Sequence, residues 1–169
     1  PRIFYEFEKC FNNQFKSIME LEPNSIIGTS SIRRRSQVLN LRSDLAIKLI
    51  RGNVDTRIDK LNRNEYDALI LGQGGIKRLN FQDKVAQVFS INEILPPACQ
   101  ASIGIQTLDE DNELTNKIKK TNHEDSSAAG ITERKVLEVL GANCNSPIGV
   151  YASIRDNKVN LKNGKKNTI

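Results

Sequence analysis

Between residues 24 and 78 three short apolar runs each stop at a glycine, and helix-period segments separate them. Ser25-Ile26-Ile27 stops at Gly28, residues 45–50 lead to Arg51-Gly52, and residues 66–71 stop at Gly72. Between the runs, Ile32, Val38, Leu39 and Leu41 mark one helix, and Val54, Ile58 and Leu61 at i, i+4, i+7 mark another. Strands that alternate with helices pair in parallel, and the connecting helices cover both faces of the sheet. The expected fold class is therefore α/β, a doubly wound and mainly parallel sheet, followed by a smaller α+β domain.

Leu95-Pro96-Pro97 breaks the pattern. Beyond it, Ile103-Gly104-Ile105 is expected as a short strand, residues 109–112 as a polar turn, and a helix from about Glu113. A longer helix over roughly 126–140 ends at Gly141, a suitable residue just past a helix end. A loop over 142–149 then leads to a strand at 150–154, a turn at Asn157 and a return strand at 158–162. The lysine-rich tail from Asn163 reads as a frayed end. The simplest map is an α/β domain over 1–95, a connector over 96–121 and a partial C-terminal domain over 122–169.

Charge is distributed unevenly along this map. The chain of 169 residues carries +5 in all, but residues 28–78 hold eleven basic against five acidic side chains. Residues 79–154 reverse the balance, with six basic and ten acidic. The excess positive charge sits at the strand ends. Arg33 lies five residues after Gly28, with Arg34 and Arg35 beside it. Arg57 lies five residues after Gly52, which Arg51 precedes, and Lys77 lies five residues after Gly72 with Arg78 adjoining. In a parallel α/β sheet these junctions share the carboxyl edge, where ligands bind. An arginine at a helix N-terminus opposes the macrodipole at a cost of up to ~1 kcal/mol. Any one junction fits a solvated helix face whose Arg stem covers apolar surface. All three together fit a crevice for a polyanion.

The nature of the anion is narrowed by exclusion. Gly72-Gln73-Gly74-Gly75 matches neither the P-loop nor the dinucleotide fingerprint. With 5% aromatic residues no stacking platform for nucleic acid is evident, so nucleic acid ranks last. A ligand with several carboxylates fits isolated, repeated arginines best. No apolar run approaches the ~18 residues of a membrane span. Cys10, Cys99 and Cys144 are odd in number, far apart and lack a CxxC pair, which argues against a disulfide framework and a zinc site and for a cytoplasmic setting. His123 has no partner at metal spacing and reads as a surface or cap residue. Cys144, in a loop between helix and strand, is either an accessible nucleophile or attachment point, or a small buried hydrophobe. Cys10 and Cys99 read only as the latter.

Taken in order, Gly28-Thr29-Ser30-Ser31-Ile32-Arg33-Arg34, Arg51-Gly52-Asn53-Val54-Asp55-Thr56-Arg57 and Tyr66-Asp67-Ala68-Leu69-Ile70-Leu71 resemble the porphobilinogen deaminase (hydroxymethylbilane synthase) family. Gly75-Ile76-Lys77-Arg78-Leu79, Glu133-Arg134 and Cys144-Asn145-Ser146-Pro147-Ile148-Gly149 continue the likeness, which runs from Pro1-Arg2 to about Leu161. The resemblance implies a transferase of porphyrin and haem biosynthesis that polymerises four porphobilinogen molecules into hydroxymethylbilane with release of ammonia. It implies a periplasmic-binding-protein-like α/β domain, and a dipyrromethane cofactor attached by a thioether to Cys144. Ser31, Arg33, Arg34, Arg51 and Arg57 would bind that cofactor, and Arg34, Arg57 and Arg78 the substrate and the growing polypyrrole chain. Arg134 would lie in the matching helix of the cofactor-carrying domain. No metal, nucleic acid or membrane is implied, and a monomer is expected at full length.

The family's catalytic aspartate belongs to an N-terminal domain and matches no residue of this chain. Asp55 reads as a first-turn helix acid and Asp67 as a strand-start residue. The resemblance thus implies a fragment lacking most of the N-terminal domain and the end of the C-terminal domain. Cys99-Gln100-Ala101 stands where the family usually has Gly-Gln-Gly, and Ala142-Asn143 where it has Gly-Gly. The alternative reading of the same residues is a non-catalytic polycarboxylate-binding remnant.

Overall fold

The computed structural model describes residues 7–11, 16–108, 112–143, 145–156 and 158–165. The chain forms β1 (Phe7–Phe11), β2 (Ile26–Gly28), α1 (Ile32–Leu41), β3 (Ala46–Lys48), α2 (Val54–Asn62), β4 (Ala68–Gly72), α3 (Gln73–Arg78) and β5 (Val85–Phe89). After an irregular connector come α4 (Asn112–Lys119), α5 (Glu124–Val139), β6 (Ile148–Arg155) and β7 (Lys158–Lys165).

The first five strands form one sheet in the order β3-β2-β4-β1-β5. β2 pairs in parallel with β3 and with β4, as the alternating pattern predicts. β1 runs antiparallel to both β4 and β5, so the sheet is mixed. Neither β1 nor β5 is evident in the residue pattern. The chain moves from β2 outward to β3 through α1, then back across β2 to β4 through α2. With right-handed crossovers that reversal places α1 and α2 on opposite faces, and the core shows it.

β4 is buried from Ala68 through Leu71. Its alternate residues feed two clusters: Ala68 and Ile70 join Val38 of α1, while Leu69 and Leu71 join Ile58 and Leu61 of α2 and Ile76 of α3. Each of the larger side chains contributes about 1.5–3 kcal/mol of burial, which makes β4 the spine of the domain. Gly28 closes β2 against this spine. A Cβ there would lie 2.5 Å from Leu69 Cδ2 and 2.9 Å from Tyr66 Cδ1.

The C-terminal unit packs α5 on an antiparallel β6–β7 hairpin, with Ala129, Val150 and Ala152 buried. Glu133 of α5 is 2% exposed, and its two oxygens accept from Ala152 N and Cys99 N, both at 2.7 Å. Val150 N also donates to Pro96 O at 2.9 Å, so the hairpin is fastened to the connector.

Several expectations are corrected. Ile103-Gly104-Ile105 is not a strand: it pairs with no strand among the described residues, and Ile103 is 91% exposed. An apolar run makes a strand only where another backbone meets its N–H and C=O groups. Asn163, Gly164 and Lys165 are not frayed but pair with Val150, Gly149 and Ile148. Ladder bonds are backbone bonds, so the lack of apolar side chains does not prevent them. Residues 166–169, 109–111 and Asn157 lie outside the described residues. α5 begins two residues earlier than expected, because His123 Nδ1 caps it by accepting from Ser126 N at 3.2 Å. No helix among the described residues is long and apolar enough to cross a membrane.

Candidate functional site

The reversal of strand order between β2 and β4 leaves a crevice at their carboxyl ends, and α1 starts there. Ser31 caps α1 by accepting from Arg34 N at 3.3 Å, and Thr29 Oγ1 accepts from Ser31 N at 3.2 Å. This local hydroxyl pairing sets Arg33 and Arg34 in the first turn of α1. Arg33 is 6% exposed and donates through Nη1 to the Leu95 carbonyl. Arg34 reaches across the crevice and donates through Nη1 to Ile70 O of β4 at 3.1 Å. Arg57 sits in α2 and donates through Nε to Gly52 O at 2.7 Å.

These three cations feel one another. Burial, then the neighbouring Arg34, lowers the Arg33 guanidinium to about 9. Burial, then the charge of Arg57, lowers Arg34 to about 10. Arg33 and Arg34 remain protonated near neutrality, so the fold holds two neighbouring cations in partly desolvated surroundings, an arrangement suited to an anion.

Arg33 and Arg34 line a cavity of ≈430 Å³ together with Ser31 at the N-cap of α1, Gln100 of the connector, and Asn143 and Ser146. Asn143 and Ser146 belong to the loop that carries Cys144, which itself lies outside the described residues. The loop is internally tied: Asn145 N donates to Asn143 Oδ1 at 2.9 Å and Asn143 N to Ser146 Oγ at 3.0 Å. A larger cavity of ≈650 Å³ lies between the connector and α4–α5, lined by Ile103, Ile105, Ile118 and His123 among others. Lys119 is in its wall, and no arginine lines it among the described residues.

The remaining residues singled out in the sequence are placed differently. Arg51 is exposed after β3, and its carbonyl accepts from Lys60 Nζ at 3.3 Å. Arg78 is exposed, in the last turn of α3 with Lys77. There the two charges agree with the macrodipole instead of opposing it, so the third junction is unlike the first two. Arg35 is exposed on α1, and Arg134 is exposed on α5. Asp55 lies in the first turn of α2, and Asp67 Oδ2 accepts from Ile26 N at 2.7 Å beside the start of β4. Cys99 is half-buried, and its Sγ lies 3.4 Å from Gly130 O.

Sequence reasoning missed Gln37, Leu95 and the bridging role of Glu133. All three work through backbone groups distant in sequence, and residue type does not announce such partners.

Fold and site together define a doubly wound α/β domain whose switch-point crevice is cationic and is walled on one side by a small α+β unit. Comparison with known proteins gives this architecture a family. Residues 6–116 match the family model described as "Porphobilinogen deaminase, dipyromethane cofactor binding domain". Residues 127–164 match "Porphobilinogen deaminase, C-terminal domain". The porphobilinogen deaminase of Francisella tularensis subsp. novicida is 39% identical over 150 residues, covering 89% of this chain and 50% of that protein. The porphobilinogen deaminase of a Nitratiruptor species is 40% identical over 152 residues, covering 89% and 48%. The chain belongs to the porphobilinogen deaminase family. It spans about half the length of the curated relatives it matches.

Proposed function

We propose that this chain supplies the carboxylate-holding crevice and the cofactor-attachment loop of a porphobilinogen deaminase. In that reading the whole protein polymerises four porphobilinogen molecules into hydroxymethylbilane with release of ammonia. The observation that carries it is the shared cavity: two desolvated arginines and the loop around Cys144 face the same space. The reversal at β2 and β4 supports a periplasmic-binding-protein-like domain over 1–95, joined by a connector over 96–121 to the cofactor-carrying unit over 122–169.

The residues present fit a dipyrromethane group. The cavity volume falls within the range of ligand sites, about 300–1,000 Å³. Each pyrrole brings two carboxylates, and the wall offers guanidinium forks suited to bidentate capture. Cys144 would hold the group by a thioether, with Ser31, Arg33, Arg34, Arg51 and Arg57 around its carboxylates. When bound, the group supplies the end onto which pyrrole units are added. Arg34, Arg57 and Arg78 would hold substrate and growing chain. Arg33 and Arg34 stay charged at neutral pH, so each captured carboxylate gains a charge-assisted pair of about 1.5–3 kcal/mol. The acid–base role at the pyrrole nitrogens would fall to the family's aspartate, which matches no residue of this chain. A cytoplasmic monomer at full length completes the reading.

The test is the intact mass of the chain purified from cells that make porphobilinogen. The expected result is added mass equal to two linked pyrrole units, lost in Cys144→Ser. An unmodified wild-type chain overturns cofactor attachment. It would leave the polycarboxylate-binding remnant as the reading to pursue.

A further inference from the structure

Gln37 stands one turn after Arg33 on α1 and grips a single residue, Leu95, just before the connector. Leu95 N donates to Gln37 Oε1 at 2.7 Å, and Gln37 Nε2 donates to Leu95 O at 3.1 Å. The side-chain amide thus meets both backbone polar groups of Leu95, as a neighbouring strand would. Pro96 and Pro97 follow, and neither has an N–H with which to continue a ladder. The same Leu95 carbonyl also accepts from Arg33 Nη1.

The other side of Leu95 faces the hairpin. A Cβ on Gly149 would lie 2.4 Å from Leu95 Cβ, and one on Gly164 would lie 3.2 Å from Leu95 Cδ1. Leu95 is therefore held through its backbone by α1 and through its side chain by β6 and β7. β6 begins at Ile148, four residues after Cys144.

We propose that Gln37 is a positioning residue: by clamping Leu95 it anchors the acceptor of Arg33 and sets that guanidinium in place relative to the Cys144 loop. The inference rests on the reading above, in which the cavity receives a carboxylate-bearing group held at Cys144. A merely structural Gln37 would affect stability and loop exposure, and leave the charge felt at Cys144 unaltered.

The two roles separate in the reactivity of the thiol. The full chain is produced in cells unable to make porphobilinogen, which keeps Cys144 unmodified. Alkylation of Cys144 by anionic iodoacetate and by neutral iodoacetamide is then followed by peptide mass. A cationic cleft concentrates anions, so the iodoacetate/iodoacetamide rate ratio in the wild type should exceed that of a cysteine peptide roughly tenfold. In Gln37→Leu the ratio should fall by roughly threefold or more, with the iodoacetamide rate little changed.

Gln37→Met removes both bonds to Leu95 without adding charge and keeps the length of the side chain. It should lower the ratio as well, and it carries the test if Gln37→Leu does not fold. A wild-type preference that persists in both variants overturns the positioning role alone. Rates that rise together for both reagents also overturn it, since they mark only a loosened loop. A wild type without anionic preference overturns both this inference and the reading of the cavity on which it rests.

Discussion

Replacing Ala101 with glycine should make the chain more stable. Ala101 is exposed at φ +70°, and Cys99, two residues earlier, sits at φ +58°. An L side chain in the left-handed region costs about 1–2 kcal/mol. Glycine returns part of that gain, about 0.4–1 kcal/mol, through its greater freedom in the unfolded chain. The exposed methyl has little burial to lose. The net expectation is a gain of about 0.5–1 kcal/mol, or about 2–3 °C in Tm for a chain of this size. Gly141 is the mirror case, with φ +58° and nothing within 4 Å of an added Cβ. Gly141→Ala isolates the backbone penalty and should cost about 1 kcal/mol. Cys99→Ala keeps the strain and loses the thiol contact with Gly130, so it should fall below the wild type, with Cys99→Gly above it. Urea unfolding followed by circular dichroism, at matched m-values, reads all four. If Ala101→Gly leaves the midpoint level or lower while Gly141→Ala shows its full cost, the connector is not left-handed in solution and the argument fails.

Gly149→Ala should destabilise by about 1–3 kcal/mol through overpacking against Leu95, and speed hydrogen exchange in β6 and β7. Glu133→Gln should cost about 1–3 kcal/mol in urea unfolding, because an amide nitrogen then meets a buried backbone N–H. If the proposed reading holds, porphobilinogen raises the Tm of the unmodified chain, and Arg33→Met should abolish most of that rise without lowering the unliganded Tm by a comparable amount. Burial holds Arg33 at about 9, below its ordinary value. Between the two values the unfolded chain binds a proton that the folded chain does not. Arg33 therefore adds stability as pH rises through that window. Over the same window porphobilinogen affinity, measured by calorimetry, should fall after staying level from roughly pH 6 to 8.

How much was legible depends on where each residue finds its partners. The β2-α1-β3-α2-β4 core was readable because its periodicities are local and its strands are mostly apolar. β1 was not: Phe7-Glu8-Lys9-Cys10-Phe11 carries two charges at its centre, and its pairing with β4 spans about sixty residues of chain. Ile103-Gly104-Ile105 failed in the opposite sense, with the residues of a strand and no partner among the described residues. At the site, the spacing of arginine from glycine pointed to Arg33 and Arg34, which line the cavity, and to Arg57, which is near enough to act on Arg34 but is not in the cavity wall. The same spacing misplaced Lys77 and Arg78, because α3 is only six residues long and the fifth position already lies in its last turn. The left-handed backbone at Cys99 and Ala101 could be anticipated only from the family's glycines, since neither residue prefers that conformation.

The position of β1 bears on the order in which the chain is made. β1 leaves the ribosome before any other described strand, yet it occupies the slot between β4 and β5. The β2-α1-β3-α2-β4 unit can close on itself once residue 72 has emerged, but β4 then presents an unpaired, wholly apolar edge. That edge is satisfied only when β1, already waiting, swings in antiparallel. β5 follows about a dozen residues later and covers the far side of β1. For that interval during synthesis the nascent chain carries the kind of exposed strand edge that recruits foreign strands. Holding the nascent chain on the ribosome with residue 72 emerged and residue 89 still enclosed should therefore raise aggregation more than a hold imposed after residue 95 has emerged.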